Sequence, residues 1–187
     1  MAAVTATQKL AIVPGIKVPD VYKQHWYGWL QRSLDKPPKT SCVLKNMPFP
    51  MAAPESEWVP FMKSPDGLGC DSGTIIIGHS SGASAAMRYA EAEKVKGLVL
   101  VSAATTDQND PVERASGYFN RPWQFEKIRE NAGFIIQFAS DDDHFIPISE
   151  QMEVAEGLKS ELHRFTDRGH FLHDTEPELL QAIEAKL

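Results

Sequence analysis

A chain of 187 residues, 42% hydrophobic and 24% charged, carries enough apolar mass for a sizeable core and fits a single domain spanning residues 1–187. Its formal charge of -6 lacks the basic excess that phosphate backbones require, which argues against nucleic acid as a partner; two cysteines, Cys42 and Cys70, are too few for a disulfide framework. Residues 1–8 hold no basic leader with an apolar run behind it, and no apolar run reaches the roughly 18 residues that cross a bilayer, so the expectation is a soluble protein of the cytoplasm, with the nucleus as a second location and no membrane partner.

Lys9-Leu10-Ala11-Ile12-Val13 predicts a first buried strand, ended by Pro14-Gly15. From residue 20 to 34, Tyr22, Trp26, Trp29, Leu30 and Leu34 recur at helical spacing, a stripe that packs into the core or, through its tryptophans, reaches a ligand. Pro37-Pro38 closes that helix, Cys42-Val43-Leu44-Lys45 predicts a second strand, and Pro54 opens a helix that Pro60 should kink or end. A polar loop over 63–73 leads to Thr74-Ile75-Ile76-Ile77, a strand buried on both faces, followed by an Ala-rich helix and a fourth strand over 97–102. Residues 104–124 break the rhythm with Asp, Asn, Pro and Gly and with the aromatics Tyr118, Phe119 and Trp123, a composition that suits either a lid-like pocket wall or a surface loop. A fifth strand over 134–139, a helix over 149–158, a sixth strand over 162–165 and a helix over 177–187 complete the chain. Strict alternation predicts an α/β fold: a three-layer sandwich with a mostly parallel sheet of about six strands, helices on both faces, and ligands outside the carboxyl ends of the strands.

Chemistry concentrates at Gly78-His79-Ser80-Ser81-Gly82. In this Gly-x-Ser-x-Gly pattern, two glycines remove the Cβ atoms that would collide where a strand turns sharply into a helix, and Ser80 is left at the apex. The Ser81 N–H then lies at a helix N-terminus, where partial positive charge can meet a developing oxyanion; a second donor is expected after the first strand, near Gly15 and Ile16. A serine nucleophile needs an imidazole and a carboxylate, and both should follow strands. The fifth strand is followed by Asp141, Asp142 and Asp143, the sixth by Gly169-His170, with His173 as the alternative base. Consecutive aspartates lack the spacing of a calcium loop and no metal motif is present, so the chemistry calls for neither metal nor cofactor.

With these residues in place, the chain resembles a small α/β-hydrolase with a minimal lid, and more closely the retinoblastoma-binding protein 9 family of serine hydrolases. Val13-Pro14-Gly15, Trp26-Tyr27-Gly28-Trp29, Lys45-Asn46-Met47-Pro48, Gly78-His79-Ser80-Ser81-Gly82, Arg121-Pro122-Trp123 and Gly169-His170-Phe171 match stretches of that family in order. The resemblance implies Ser80 as nucleophile, His170 as base and, among the three aspartates, Asp143, four residues before Pro147. Expected oxyanion donors are the N–H groups of Ser81 and Ile16, and the expected pocket aromatics are Trp26, Tyr118, Phe119 and Trp123. It further implies hydrolysis of small esters, amides or thioesters, amino acid esters among them. The alternative is an interaction protein of retinoblastoma-binding type. For that partner the family's Leu-x-Cys-x-Glu element reads Leu68-Gly69-Cys70-Asp71-Ser72 here, with Ser72 in place of the terminal carboxylate.

Overall fold

The computed structural model describes residues 7–187; the reading of the chain's first residues lies largely outside that span. Six strands, β1 (Gln8–Val13), β2 (Thr40–Val43), β3 (Thr74–His79), β4 (Gly97–Val101), β5 (Ile135–Ser140) and β6 (Glu161–Phe165), form one sheet in the order β2-β1-β3-β4-β5-β6. All neighbouring pairs are parallel, with Ala11 opposite Ile76, and Gly78 opposite Leu100. Alternate residues of the apolar strands feed two cores, one on each face. On one face Leu10, Ile12, Ile75, Ile77, Val99 and Val101 meet Leu30 and Leu34 of α1 (Tyr27–Leu34) and Leu179 and Ile183 of α7 (Pro177–Glu184). On the other, Ala11, Val13, Ile76, Leu98 and Leu100 meet α2 (Glu55–Lys63), α3 (Ser81–Ala92), α5 (Phe125–Asn131) and α6 (Ile148–Leu158). The α/β sandwich expected from the alternation is therefore present, with α4 (Pro111–Ser116) added beside the sheet's carboxyl edge. Among the described residues no helix is long and apolar enough to cross a membrane.

Three details depart from the sequence expectation. The first helix begins at Tyr27 rather than residue 20, because the chain before it folds back: a Cβ on Gly28 would sit 2.5 Å from the Tyr22 carbonyl oxygen, and His25 has φ of 52°. Tyr22, expected on the buried stripe, is exposed and donates its hydroxyl to the Leu44 carbonyl. Pro60 does not end α2, which runs on to Lys63. The excursion over 104–124 also contains structure of its own: Asp110 caps α4 by accepting from the N–H groups of Val112 and Glu113, with Pro111 at the first position.

That excursion is fastened to α3 by Arg88, whose side chain is fully buried. Its guanidinium donates to the carbonyls of Tyr118 (3.0 Å), Arg121 (2.8 Å) and Pro122 (3.2 Å), pairs with Glu91 at 2.6 Å and lies 3.8 Å over the Trp123 ring. Replacing Arg88 with Met leaves three carbonyls without their donor and the buried Glu91 carboxylate with only the Gln124 N–H and the more distant Arg121, a loss that exceeds the apolar area regained. R88M is expected to lower the unfolding free energy by about 3–5 kcal/mol in urea titrations, while Arg88→Lys recovers only part of it.

Candidate active site

Ser80 stands at the β3–α3 corner with φ of 55° and ψ of -120°, a backbone state that costs roughly 1–3 kcal/mol for a residue with a Cβ. The surroundings hold it there. Its N–H donates to the Val101 carbonyl at 2.9 Å, and its own carbonyl accepts from Ala83 at 2.8 Å. Both flanking glycines are required sterically: a Cβ on Gly78 would lie 2.4 Å from the Gly82 carbonyl oxygen, and a Cβ on Gly82 would lie 2.3 Å from that of Val13. The second contact brings α3 hard against the end of β1, so the loop after β1 passes beside Ser80.

Two backbone donors converge on this corner. The N–H groups on either side of Ile16 are committed, that of Gly15 to the Tyr27 hydroxyl (3.0 Å) and that of Lys17 to the Pro50 carbonyl (2.8 Å). Among the described residues those of Ile16 and of Ser81, the first residue of α3, have no acceptor. Two free donors next to a hydroxyl can stabilise negative charge that develops on a bound carbonyl oxygen.

His170 follows β6, and its Nδ1 is 2.9 Å and 3.0 Å from the two carboxylate oxygens of Asp143, in the loop after β5. A carboxylate facing Nδ1 puts the ring proton there and leaves Nε2 as an acceptor. Asp143 is itself held by the N–H groups of Phe145 (2.9 Å) and Ile146 (3.0 Å). Burial pushes its carboxyl up, but the His170 hydrogen bond and charge, with those two N–H groups, outweigh burial and hold it below the usual carboxylate range. The other two aspartates have different partners: Asp141 pairs with Arg164, and Asp142 accepts from the Ser140 hydroxyl and the Gly169 N–H, which braces the His170 loop. His173 pairs with Glu176 instead.

Ser80, Ile16 and His170 line one cavity of about 430 Å3. The Ser80 hydroxyl has no hydrogen-bonded partner among the described residues, an arrangement common where such contacts tighten only around substrate. The lining includes the polar Gln108, Asp110 and Glu113 of the excursion, Lys17 of the loop after β1, and the apolar Phe145, Ile146 and Leu172, with the Phe145 ring edge-on to His170 at 4.9 Å. The aromatics expected to line the pocket lie elsewhere. Trp26 and Tyr118 are fully buried, Phe119 packs against the core, and Trp123 is taken up by Arg88 and by a hydrogen bond to the Thr105 carbonyl. Aromatic character alone does not separate core from pocket, whereas the Asp110-Pro111 cap signature would have located α4 and hence Glu113. Leu68 and Cys70 are buried in the core, the Cys70 thiol pushed up to about 12 by burial, so presenting them to a partner would require that loop to leave it. Among the described residues no cluster of three or more His, Cys, Asp or Glu is placed to hold a metal ion.

The family model described as "Serine hydrolase" matches residues 10–187. This chain belongs to the serine hydrolase family. It is 54% identical to the serine hydrolase RBBP9 of Rattus norvegicus over 96% of this chain and 95% of that one. In three dimensions this serine hydrolase is similar to the crystal structure of the ydeN gene product from B. subtilis, with a TM-score of 0.82 at 22% identity over 96% and 98% of the two chains. A more distant likeness is to the esterase RhEst1 from Rhodococcus, TM-score 0.68 at 17% identity, covering 97% and 90%.

Because Asp143 has a lower proton affinity folded than unfolded, its contribution to stability is complete above the ordinary carboxylate value and disappears as pH falls through the folded one. Asp143→Asn is expected to be less stable than the parent by about 1–3 kcal/mol at neutral pH, with the gap closing below about pH 4 in urea titrations.

Proposed function

We propose that this serine hydrolase cleaves small esters and related amides or thioesters through an acyl-enzyme formed on Ser80. The observation that carries the reading is that a serine on a strained strand–helix corner, an imidazole already paired with a buried carboxylate, and the residue bearing the uncommitted Ile16 N–H line one cavity, with the uncommitted Ser81 N–H next to Ser80 in the chain. In the first half-reaction His170 Nε2 takes the Ser80 proton as the hydroxyl oxygen bonds to the substrate carbonyl carbon, and the Ile16 and Ser81 N–H groups meet the oxyanion. Asp143 holds the tautomer and stabilises the imidazolium. Collapse of the intermediate breaks the bond to the alcohol, thiol or amine, which leaves with the proton from His170. Water then attacks the acyl-enzyme by the same route and releases the acid, so no net proton or electron is left on the protein. Ser80→Ala is expected to lower kcat by about 10⁴-fold or more and to abolish labelling by an active-site fluorophosphonate. Labelling that survives the substitution would reject Ser80.

Amino acid esters suit the polar part of the lining. One Glu113 carboxylate oxygen accepts from the Ser81 hydroxyl at 2.6 Å, whereas the other is buried without a partner. Burial raises the Glu113 carboxyl above the usual range, with the Ser81 hydroxyl and the Lys17 charge pulling the other way, and no cation is hydrogen-bonded to it among the described residues. A substrate ammonium provides that cation next to the nucleophile. Glu113→Gln is expected to lower kcat/KM for an amino acid ester by about tenfold or more while leaving the N-acetylated ester within about twofold; equal losses on both esters would reject this role.

A further inference from the structure

Behind Ser80 lies a group of aromatic side chains that the acyl-transfer reading leaves without a task. Tyr27, at the start of α1, and His79, the residue before the nucleophile, are both fully buried. Their hydrogen bonds form one line in which every proton has only one possible place. The Gly15 N–H can only donate, so the Tyr27 oxygen accepts it at 3.0 Å. The Tyr27 hydroxyl proton must then go to His79 Nδ1, 2.6 Å away, which requires that nitrogen to be bare. A neutral ring with a bare Nδ1 carries its proton on Nε2, and Nε2 faces the His170 carbonyl at 2.8 Å, an acceptor only. The line therefore starts in the loop that supplies the Ile16 N–H and ends on the backbone of His170.

We propose that Tyr27 and His79 are positioning residues: a proton-ordered relay that sets the oxyanion loop and the His170 loop relative to each other across the nucleophile corner. The inference rests on the acyl-transfer reading of Ser80 and His170. Neighbouring bonds act in the same sense. Trp26 Nε1 donates to the Phe171 carbonyl at 2.9 Å, and His25 Nδ1 lies 3.2 Å from that of Leu172. Three consecutive carbonyls after β6 are thus each engaged by a ring nitrogen of one cluster, and Phe171 is held with φ of 54°. The base is fixed from both sides, with Asp143 on its ring and the relay on its backbone.

The relay works only while His79 is neutral. A second proton on Nδ1 would turn it towards the Tyr27 oxygen, and the Tyr27 hydroxyl proton would be stranded in a buried place without an acceptor. The groups around His79 are Tyr27, Trp26 and His25 from the segment leading into α1, His170 from the loop after β6, and Asp143 beyond it. Burial first, and then the His170 and His25 rings, keep the His79 proton affinity well below the usual imidazole value against the opposing pull of the His170 carbonyl and Asp143.

The test uses the full chain. In the parent protein, ¹⁵N chemical shifts of His79 should report a neutral ring protonated on Nε2 throughout about pH 5 to 8. A cationic ring, or one protonated on Nδ1, overturns the relay and needs no variant to fold. In Tyr27→Phe, confirmed as folded by its urea midpoint and near-UV circular dichroism, kcat should fall about tenfold to a hundredfold with KM within about threefold. His79→Leu removes both the acceptor for Tyr27 and the donor to the His170 carbonyl, so adding Y27F to it, with both variants confirmed as folded, should lower kcat by no more than about twofold further. Unchanged kcat in folded Y27F, or losses that multiply in the double variant, would overturn the proposal and leave Ser80 untouched. A Ser80→Ala protein that still turns over substrate would instead reject the acyl-enzyme and leave the His79 tautomer standing as measured.

Discussion

The architecture of the site depends on the close approach of α3 to the end of β1. Gly82 sits where any Cβ would strike the Val13 and Pro14 carbonyls, at 2.3 Å and 2.4 Å. Without that approach the loop after β1, with its free Ile16 N–H, would pass farther from Ser80. The same closeness leaves little room beside Gly15, where an added Cβ would sit 3.4 Å from the Ser80 Cβ. A backbone packed this tightly transmits position: the nucleophile, the donors and the helix N-terminus are fixed by main-chain contacts and do not rely on side-chain rotamers.

Sheet order then decides what surrounds the corner. Since β1 lies between β2 and β3, the chain leaves β1 and β3 in opposite directions, and a crevice opens above their carboxyl ends. Two more loops, those after β5 and β6, reach across from the neighbouring strands with the carboxylate and the imidazole. The cavity between them is electrically divided, with carboxylates on the excursion side and apolar side chains beside His170. Asp143 meets the His170 ring at Nδ1, and Glu113 on the excursion side is also near enough to interact with that ring.

Much of this was legible in the chain. The inner strands β3 and β4 announce themselves because parallel strands buried on both faces are short, continuous apolar runs, the half-exposed edge strands β2 and β6 are legible mainly from their place in the alternation, and the elbow is legible because its glycines are needed sterically. Ser80, His170 and Asp143 each occupy a loop at a carboxyl end, a place that topology predicts. What could not be read was anything decided by packing between distant segments. The aromatic stripe over residues 20–34 looked helical throughout, yet its first part folds back because Gly28 admits the Tyr22 carbonyl and Asn46 holds the Val21 N–H. Likewise, Tyr118 and Trp123 looked like pocket residues because they sit in an irregular loop, but a buried Arg88 gathers that loop inward and turns its rings away from the cavity. Charged side chains buried on partners far along the chain leave almost no local signature.

The Arg88 anchor has a further consequence for what can enter. Three carbonyls at the far end of the excursion are held by one buried guanidinium, which anchors to α3 the segment whose Gln108, Asp110 and Glu113 form part of the cavity wall. A wall anchored in this way offers any entering molecule a space of about 430 Å3 whose shape on that side is set by the fold itself.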